Sequence, residues 1–410
     1  MYDMLLKLIM YADDMVIFSD SEKGLQDALD QLDLYCSKWG IKVNVKKTKI
    51  VVFKKGPIGK NTFEWKYNNE IIEIVPFFKY LGLFLSANGS FAHHLKETVK
   101  SAKKALFFLK KNLNKNPEIL PKMQLELFDT TVKPILFYGS EVWGFCKADL
   151  FESFFLSFLK GILCVKQSTP NCFIYGELGV FPLYIDRKLR ILKYWFKILN
   201  SNENSYLRKI YNDLVLLSES SPEQVTWVTL LRDMLFQYGF GYVWYQQFVE
   251  NESIFLRIFE QRLKDNFLQK WHTEINLTSD FRLFKKIKDS FVFEKYLNLD
   301  NKTLRIAITK VRLSSHLFFI ERGRWGKPKI NAGDRKCDLC NTIEDEYHCL
   351  IECPRFVCER KNCLPETLKN RPSMYEFVNF LKCPNPTVYY KLGLLCFKIM
   401  KVYKSHYIVD

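Results

Sequence analysis

The sequence predicts an α+β fold on three observations. Its first 85 residues hold short apolar, β-branched and aromatic runs separated by turn residues, the pattern of small hairpins. From Ser90 onward the apolar period lengthens from two toward that of an amphipathic helix. Near the carboxyl end, cysteines and a histidine recur at the spacing of a small metal-stapled module.

In chain order, Tyr11-Ala12-Asp13-Asp14 lies between apolar runs at 5–10 and 15–18, which predicts a hairpin with two carboxylates at its tip. Hard oxygen ligands of this kind suit Mg²⁺ bound partly through substrate phosphates, half of a two-metal phosphoryl-transfer site. Ser19 and Glu22 have capping-box spacing. Leu25, Ala28, Leu29, Leu32, Tyr35 and Trp39 then mark one helix face, which Gly40 ends. Residues 41–45 alternate as a strand, and 50–53 form another apolar run. Gly56-Pro57-Ile58-Gly59 marks a turn, residues 63–67 and 70–75 make a hairpin about Asn68-Asn69, and 78–85 read as a further strand.

Beyond Ser90, Leu95, Val99, Ala102, Leu106 and Leu109 share a helix face beside the basic stripe Lys96, Lys100, Lys103 and Lys104. Further helices are expected within 117–132, stopping before Pro134, and over 150–159, 185–199 and 255–271. Trp143, set in an apolar segment, reads as core. Residues 218–229 lack a clean period and read as loop.

Of the 410 residues, 61 are Lys or Arg and 45 Asp or Glu, giving a formal charge of +16 that favours a polyanionic partner. Eight lysines and a single acid, Glu64, fall between Lys42 and Lys66, a surface able to follow a nucleic-acid backbone. No secretory signal or long apolar span is evident, so the expected setting is intracellular, nucleus or cytoplasm, with no membrane partner. The 12 cysteines then read as reduced thiols plus one metal site. No Ser/His/Asp hydrolase arrangement, phosphate loop or H-E-x-x-H motif competes.

Cys337, Cys340, His348 and Cys353 follow the pattern Cys-x₂-Cys-x₇-His-x₄-Cys. Three thiolates and an imidazole suit a closed tetrahedral Zn²⁺ site, structural rather than catalytic. Cys349 is an alternative to His348. The segment 322–329 before it is basic, rich in Gly and Pro, and expected to be flexible; Arg322, Arg324, Lys327, Lys329, Arg335 and Arg355 are candidate phosphate contacts.

The order of these segments resembles the palm of a non-LTR retrotransposon (LINE-like, jockey-like) reverse transcriptase. The Tyr11–Asp14 hairpin is similar to a catalytic motif of that family, residues 39–49 to the next, 78–83 to its primer-gripping motif, and 343–354 to its terminal CCHC module. The resemblance implies a partial palm over 1–89, a helical thumb over 90–200, a helical carboxyl-terminal region over 201–320, a basic linker over 321–336, the zinc module over 337–353 and a helical tail over 354–410. It implies that Asp13 ligates a catalytic metal and Asp14 supports it, while a primer 3′ hydroxyl attacks a dNTP α-phosphate. One of Lys46, Lys47 and Lys49 would orient the departing pyrophosphate, Lys79 would touch the primer, and the partners would be RNA and DNA, above all an RNA/DNA hybrid or primer-template. In that family another catalytic aspartate and the fingers precede this hairpin, so the expectation is a carboxyl-terminal fragment inactive alone. The alternative is a non-enzymatic nucleic-acid-binding remnant using the basic thumb and zinc module.

Overall fold

The computed structural model describes residues 7–54, 63–116, 118–221, 223–277, 282–325, 328–369 and 372–407. The fold is mixed α+β, mostly helical, with small antiparallel hairpins. The chain divides into two compact units, one of Met1–Ser101, Leu136–Ala148 and Arg190–Glu250, the other of Ala102–Ile135, Asp149–Leu189 and Asn251–Asp410.

Strands β1 (Leu8–Tyr11) and β2 (Asp14–Ile17) pair with Tyr11 opposite Asp14, leaving Ala12 and Asp13 as the turn. Ala12 sits at φ +50°, a left-handed conformation that costs a side-chain-bearing residue. Helix α1 (Glu22–Trp39) follows and ends at Gly40, φ +66°. Its N-cap is Ser21, whose hydroxyl accepts from the Gly24 amide, and not the expected Ser19. Ser19 instead donates its hydroxyl to the Ser21 carbonyl, tightening the turn before the cap.

Residues 41–45 correct a second expectation, since they form no strand. Val43 and Val45 do turn inward, as their alternation implies, but the Asn44 carbonyl closes a local turn by accepting from the Lys47 and Thr48 amides, both at 3.0 Å, and its side-chain Oδ1 also accepts from the Lys47 amide at 3.2 Å. A side chain that offers the backbone such bonds competes with a ladder. β3 (Lys66–Tyr67) and β4 (Glu70–Ile71) form the expected hairpin, with Asn68 and Asn69 at φ +46° and +64°. The predicted single strand at 78–85 is instead the hairpin β5 (Phe77–Tyr80) and β6 (Leu83–Ser86). Leu81 and Gly82 take its turn at φ +45° and +86°. The Tyr138 hydroxyl donates to the Leu81 carbonyl at 2.7 Å, and a Cβ on Gly82 would meet the Tyr138 ring at 2.7 Å. The Gly56–Gly59 turn lies outside the described residues.

These short pieces share one small core in the first unit. Leu29, Ile50, Trp65, Tyr67 and Ile72 are buried together, with Leu25 and Leu32 of α1 against them. Gln26 holds α1 to β3 through both its amide groups, at 2.8 and 2.9 Å from the Lys66 backbone. Tyr35 and Trp39, expected on the same face, are exposed.

Among the described residues the remaining elements are helices and one isolated bridge, Lys336 with Ile343. α2 (Ala92–Lys115) buries all five residues of its predicted face. α3 (Pro121–Thr131) stops short of α4 (Lys133–Phe137), which carries Pro134 in its first turn, where a missing N–H costs little. α5 (Ser140–Trp143) buries Trp143 as expected. Next come α6 (Asp149–Leu163), α7 (Asn171–Leu178), α8 (Leu183–Leu199), α9 (Tyr206–Ser220), α10 (Trp227–Gln237) and α11 (Gly241–Gln246). After them run α12 (Glu252–Leu277), α13 (Arg282–Ile287), α14 (Lys302–Arg312), α15 (Phe319–Trp325), α16 (Val357–Lys361), α17 (Met374–Lys382) and α18 (Pro386–Tyr407). Helix α15 occupies the start of the segment expected to be flexible.

The core of the second unit is aromatic. Phe128 lies between Phe155 and Phe158, ring centroids 5.1 and 4.5 Å away, and Gly176 lets α7 lie on Trp271, where a Cβ would stand 2.6 Å from the ring. Inside this core the Arg312 guanidinium meets Glu177 at 2.6 Å and Glu294 at 3.0 Å, and the Tyr296 hydroxyl donates to Glu177 at 2.7 Å. The sequence pattern does not disclose this buried ionic cluster, because its members lie up to 135 positions apart.

Candidate functional site

The cysteine and histidine constellation converges. Ligand atoms of Cys337, Cys340, His348 and Cys353 all lie within 4.8 Å of one another. Cys353 Sγ is 3.9 Å from the sulfurs of both Cys337 and Cys340. A tetrahedral ion with zinc–sulfur bonds of about 2.3 Å needs sulfurs about 3.8 Å apart, and these two sulfur pairs have that spacing.

Local structure explains the convergence. A bridge between Lys336 and Ile343 closes a tight turn, with the Asn341 amide donating to the Cys337 carbonyl at 2.9 Å and Asn341 at φ +52°. That turn delivers both first cysteines from one side. A wide helical turn, His348–Glu352, delivers the others, and the Cys353 amide donates back to the His348 carbonyl at 2.8 Å. His348 Nδ1 lies 3.0 Å from the Thr342 hydroxyl and 3.3 Å from Glu352, while Nε2 is buried with no hydrogen-bond partner among the described residues. In the tautomer that donates Nδ1–H to Thr342, Nε2 offers its lone pair to an ion.

Burial, with the adjoining Cys337 and Cys340 sulfurs adding to it, pushes the Cys353 thiol up to about 12. Three neighbouring thiolates therefore need a cation among them. Cys349 is not an alternative ligand: its sulfur points into the core, 3.4 Å from the Tyr403 hydroxyl, and burial raises its pKa strongly. Cys337, Asp338 and Glu344 also come close enough to share an ion. Asp338 is already held by Arg355 at 2.5 Å, and Glu344 accepts from the Phe319 amide at 2.7 Å, which favours the four-residue set.

The acidic hairpin is built differently. Asp13 and Asp14 are both exposed at the tip of β1–β2, and Tyr11, Met10 and Leu8 are exposed beside them. Among the described residues neither aspartate belongs to a group of three or more side chains able to hold a metal ion.

The basic candidates fall into two groups. Lys46 and Lys47 are exposed on the Asn44 turn, and Lys96, Lys100, Lys103 and Lys104 are exposed along α2, with Lys100 at 2.5 Å from Glu97. Lys79 is exposed, its ammonium 5.7 Å from the Phe84 ring. Others are engaged within the fold. Lys49 is 2.5 Å from Glu73, Arg324 forks onto Glu321 at 3.1 and 3.2 Å, and the Arg322 guanidinium lies 5.1 Å from the Phe319 ring. Arg335 donates to the Ile320 and Ile330 carbonyls, so it braces the backbone. Sequence reading missed Phe107 and Phe108, 72% and 68% exposed among the α2 lysines, because aromatic residues in a helix are read as core.

The family model described as "Reverse transcriptase (RNA-dependent DNA polymerase)" matches residues 3–85. Those residues are a reverse-transcriptase-like domain, covering part of the chain. Its relationship is to the enzymes of non-LTR retrotransposons. The chain is 28% identical over 143 residues to a probable RNA-directed DNA polymerase from transposon BS of Drosophila melanogaster, 33% of this chain and 16% of that protein. It is 28% identical over 138 residues to a putative transposon-derived protein of Caenorhabditis elegans, 34% of this chain and 49% of that one. It is 22% identical over 214 residues to the RNA-directed DNA polymerase from mobile element jockey of Drosophila melanogaster, 49% of this chain and 22% of that protein. The chain thus spans less than half the length of each of these relatives. No solved structure matches it. Among the described residues no helix is long and apolar enough to cross a membrane.

Proposed function

We propose that this chain is a nucleic-acid-binding derivative of a non-LTR retrotransposon reverse transcriptase, held at its carboxyl end by a structural zinc ion. The reading rests on one observation above all: within the matched segment, the Tyr11-Ala12-Asp13-Asp14 tip is a two-residue hairpin turn, as the polymerase motif requires. Zinc fits the donor set of Cys337, Cys340, His348 and Cys353, and would tie the turn at 337–341 to the helical turn at 348–352. Four protein donors leave no open position for substrate.

Magnesium does not fit the hairpin tip as it stands, since two exposed carboxylates have no third ligand beside them among the described residues. The chain alone therefore holds RNA or DNA without joining nucleotides, the exposed lysines Lys46, Lys47, Lys79, Lys96, Lys100, Lys103 and Lys104 neutralising phosphates. Binding of an RNA/DNA primer-template across a salt series tests this. The expected result is affinity that falls steeply with salt, with the slope of log K on log salt shallower by about 1.8 for Lys103→Glu/Lys104→Glu. Equal slopes for variant and parent would contradict it.

A further inference from the structure

The second unit contains a cavity of about 640 Å³ between α14 and α18. Thr303, Ile306 and Lys310 of α14 line one wall, and Phe397, Met400 and Lys404 of α18 the other. Each trio follows one helix face, at intervals of three, four or seven residues. The rim is cationic, with Lys166, Lys310, Lys401 and Lys404 all contributing, and no carboxylate lines it among the described residues. Lys166 donates to the His316 carbonyl at 3.5 Å, and no carboxylate stands in the wall to neutralise any of the four among the described residues. Burial, then the neighbouring charges of Lys404 and Lys166, hold the Lys310 ammonium below the ordinary lysine range.

A second cavity of about 270 Å³ shares Lys166 and Leu317 with the first and carries Arg322 and Trp325. Trp325 is 55% exposed and Phe397 37%. Cations and exposed aromatic faces therefore line two neighbouring hollows. Uncompensated lysines around a concave, apolar floor suit a ligand that combines repeated phosphates with flat rings. An anionic bilayer is matched by a projecting face and not by a hollow.

We propose that these neighbouring cavities bind single-stranded nucleic acid, RNA or DNA, with phosphates on Lys166, Lys310, Lys401 and Lys404 and a base against Phe397. This deepens the nucleic-acid-binding reading and rests on it, but uses residues outside the reverse-transcriptase-like segment.

The test measures anisotropy of labelled single-stranded oligonucleotides, uridine and thymidine 12-mers, and of an RNA/DNA hybrid duplex, with the full chain. Lys401→Glu/Lys404→Glu, both exposed positions, is expected to weaken single-strand binding at least ten-fold at low salt, with the salt slope shallower by about 1.4. Phe397→Ala is expected to weaken it about ten-fold with the slope unchanged. Hybrid binding should persist in both, and unchanged circular dichroism would show both variants folded. Parental single-strand affinity in both variants, with hybrid binding intact, would overturn the proposal and leave the broader reading standing. No binding of any nucleic acid by the parent would overturn that reading, and this proposal with it. Phosphatidylserine vesicles bound by the parent and released by these variants, with oligonucleotides unaffected, would make the hollow a lipid site and overturn the proposal.

Discussion

The acid-tipped hairpin and the Cys/His module are both short sequence motifs, yet the fold treats them in opposite ways. Around the module, Cys337 and Cys353 are 2% and 1% exposed, His348 is fixed by Thr342, and four donors face one point. Around the hairpin, Tyr11 is 67% exposed and apolar residues of both strands meet solvent. Two isolated strands are marginal in water, and strands apolar on both faces normally lie beneath other layers. A site whose ligands sit within 17 positions is complete wherever its turns form. A site whose chemistry needs carboxylates from several strands is complete only where those strands meet.

The largest expected effect is on the module. Chelation, or Cys337→Ser, should remove one zinc ion per chain and with it metal-linked folding free energy on the order of 10 kcal/mol, read by metal content and thermal melting. Metal uptake displaces thiol protons, so affinity should fall as the pH falls. Unchanged melting after complete chelation would erase the contrast between the two regions.

Replacing Arg312 by Ala asks whether ordinary core chemistry matters as much as the metal. It leaves the Glu177 carboxylate in the interior with only the Tyr296 hydroxyl, while Glu294 keeps Lys288, and should cost about 3–5 kcal/mol in denaturant unfolding. A loss under 1 kcal/mol would show that the cluster relaxes or neutralises.

Smaller effects should mark the hairpin's surroundings. Ser21→Ala removes the side-chain cap on α1 and should destabilise the first unit by about 1 kcal/mol, whereas Ser19→Ala should cost less. Asp13→Asn and Asp14→Asn should change stability by no more than about 0.5 kcal/mol, because both side chains are exposed. Hydrogen exchange should be fast across Leu8–Ile17 and slow across His348–Glu352.

What the sequence made legible follows the same division. The CCHC spacing, the Asn68-Asn69 turn, the buried face of α2 and the Gly40 stop were all readable, since each depends on residues within a few turns of one another. Residues 41–45 misled, because alternation reports which side chains turn inward, not whether the backbone has a partner strand. Leu81-Gly82 was overlooked as a turn since the surrounding run is apolar, and Tyr138, which holds it, lies 57 positions away. The Arg312 cluster and the lysine-rimmed cavity are assembled from helices far apart in the chain, so local spacing could not join their halves.

Binding and chemistry can be followed together in one reaction. Purified full-length chain, loaded with zinc, is mixed with RNA template, DNA primer, Mg²⁺ and dNTPs, and primer length is followed beside complex formation. The expected result is a salt-sensitive complex whose primer does not lengthen. Primer extension that disappears in Asp13→Asn would contradict it.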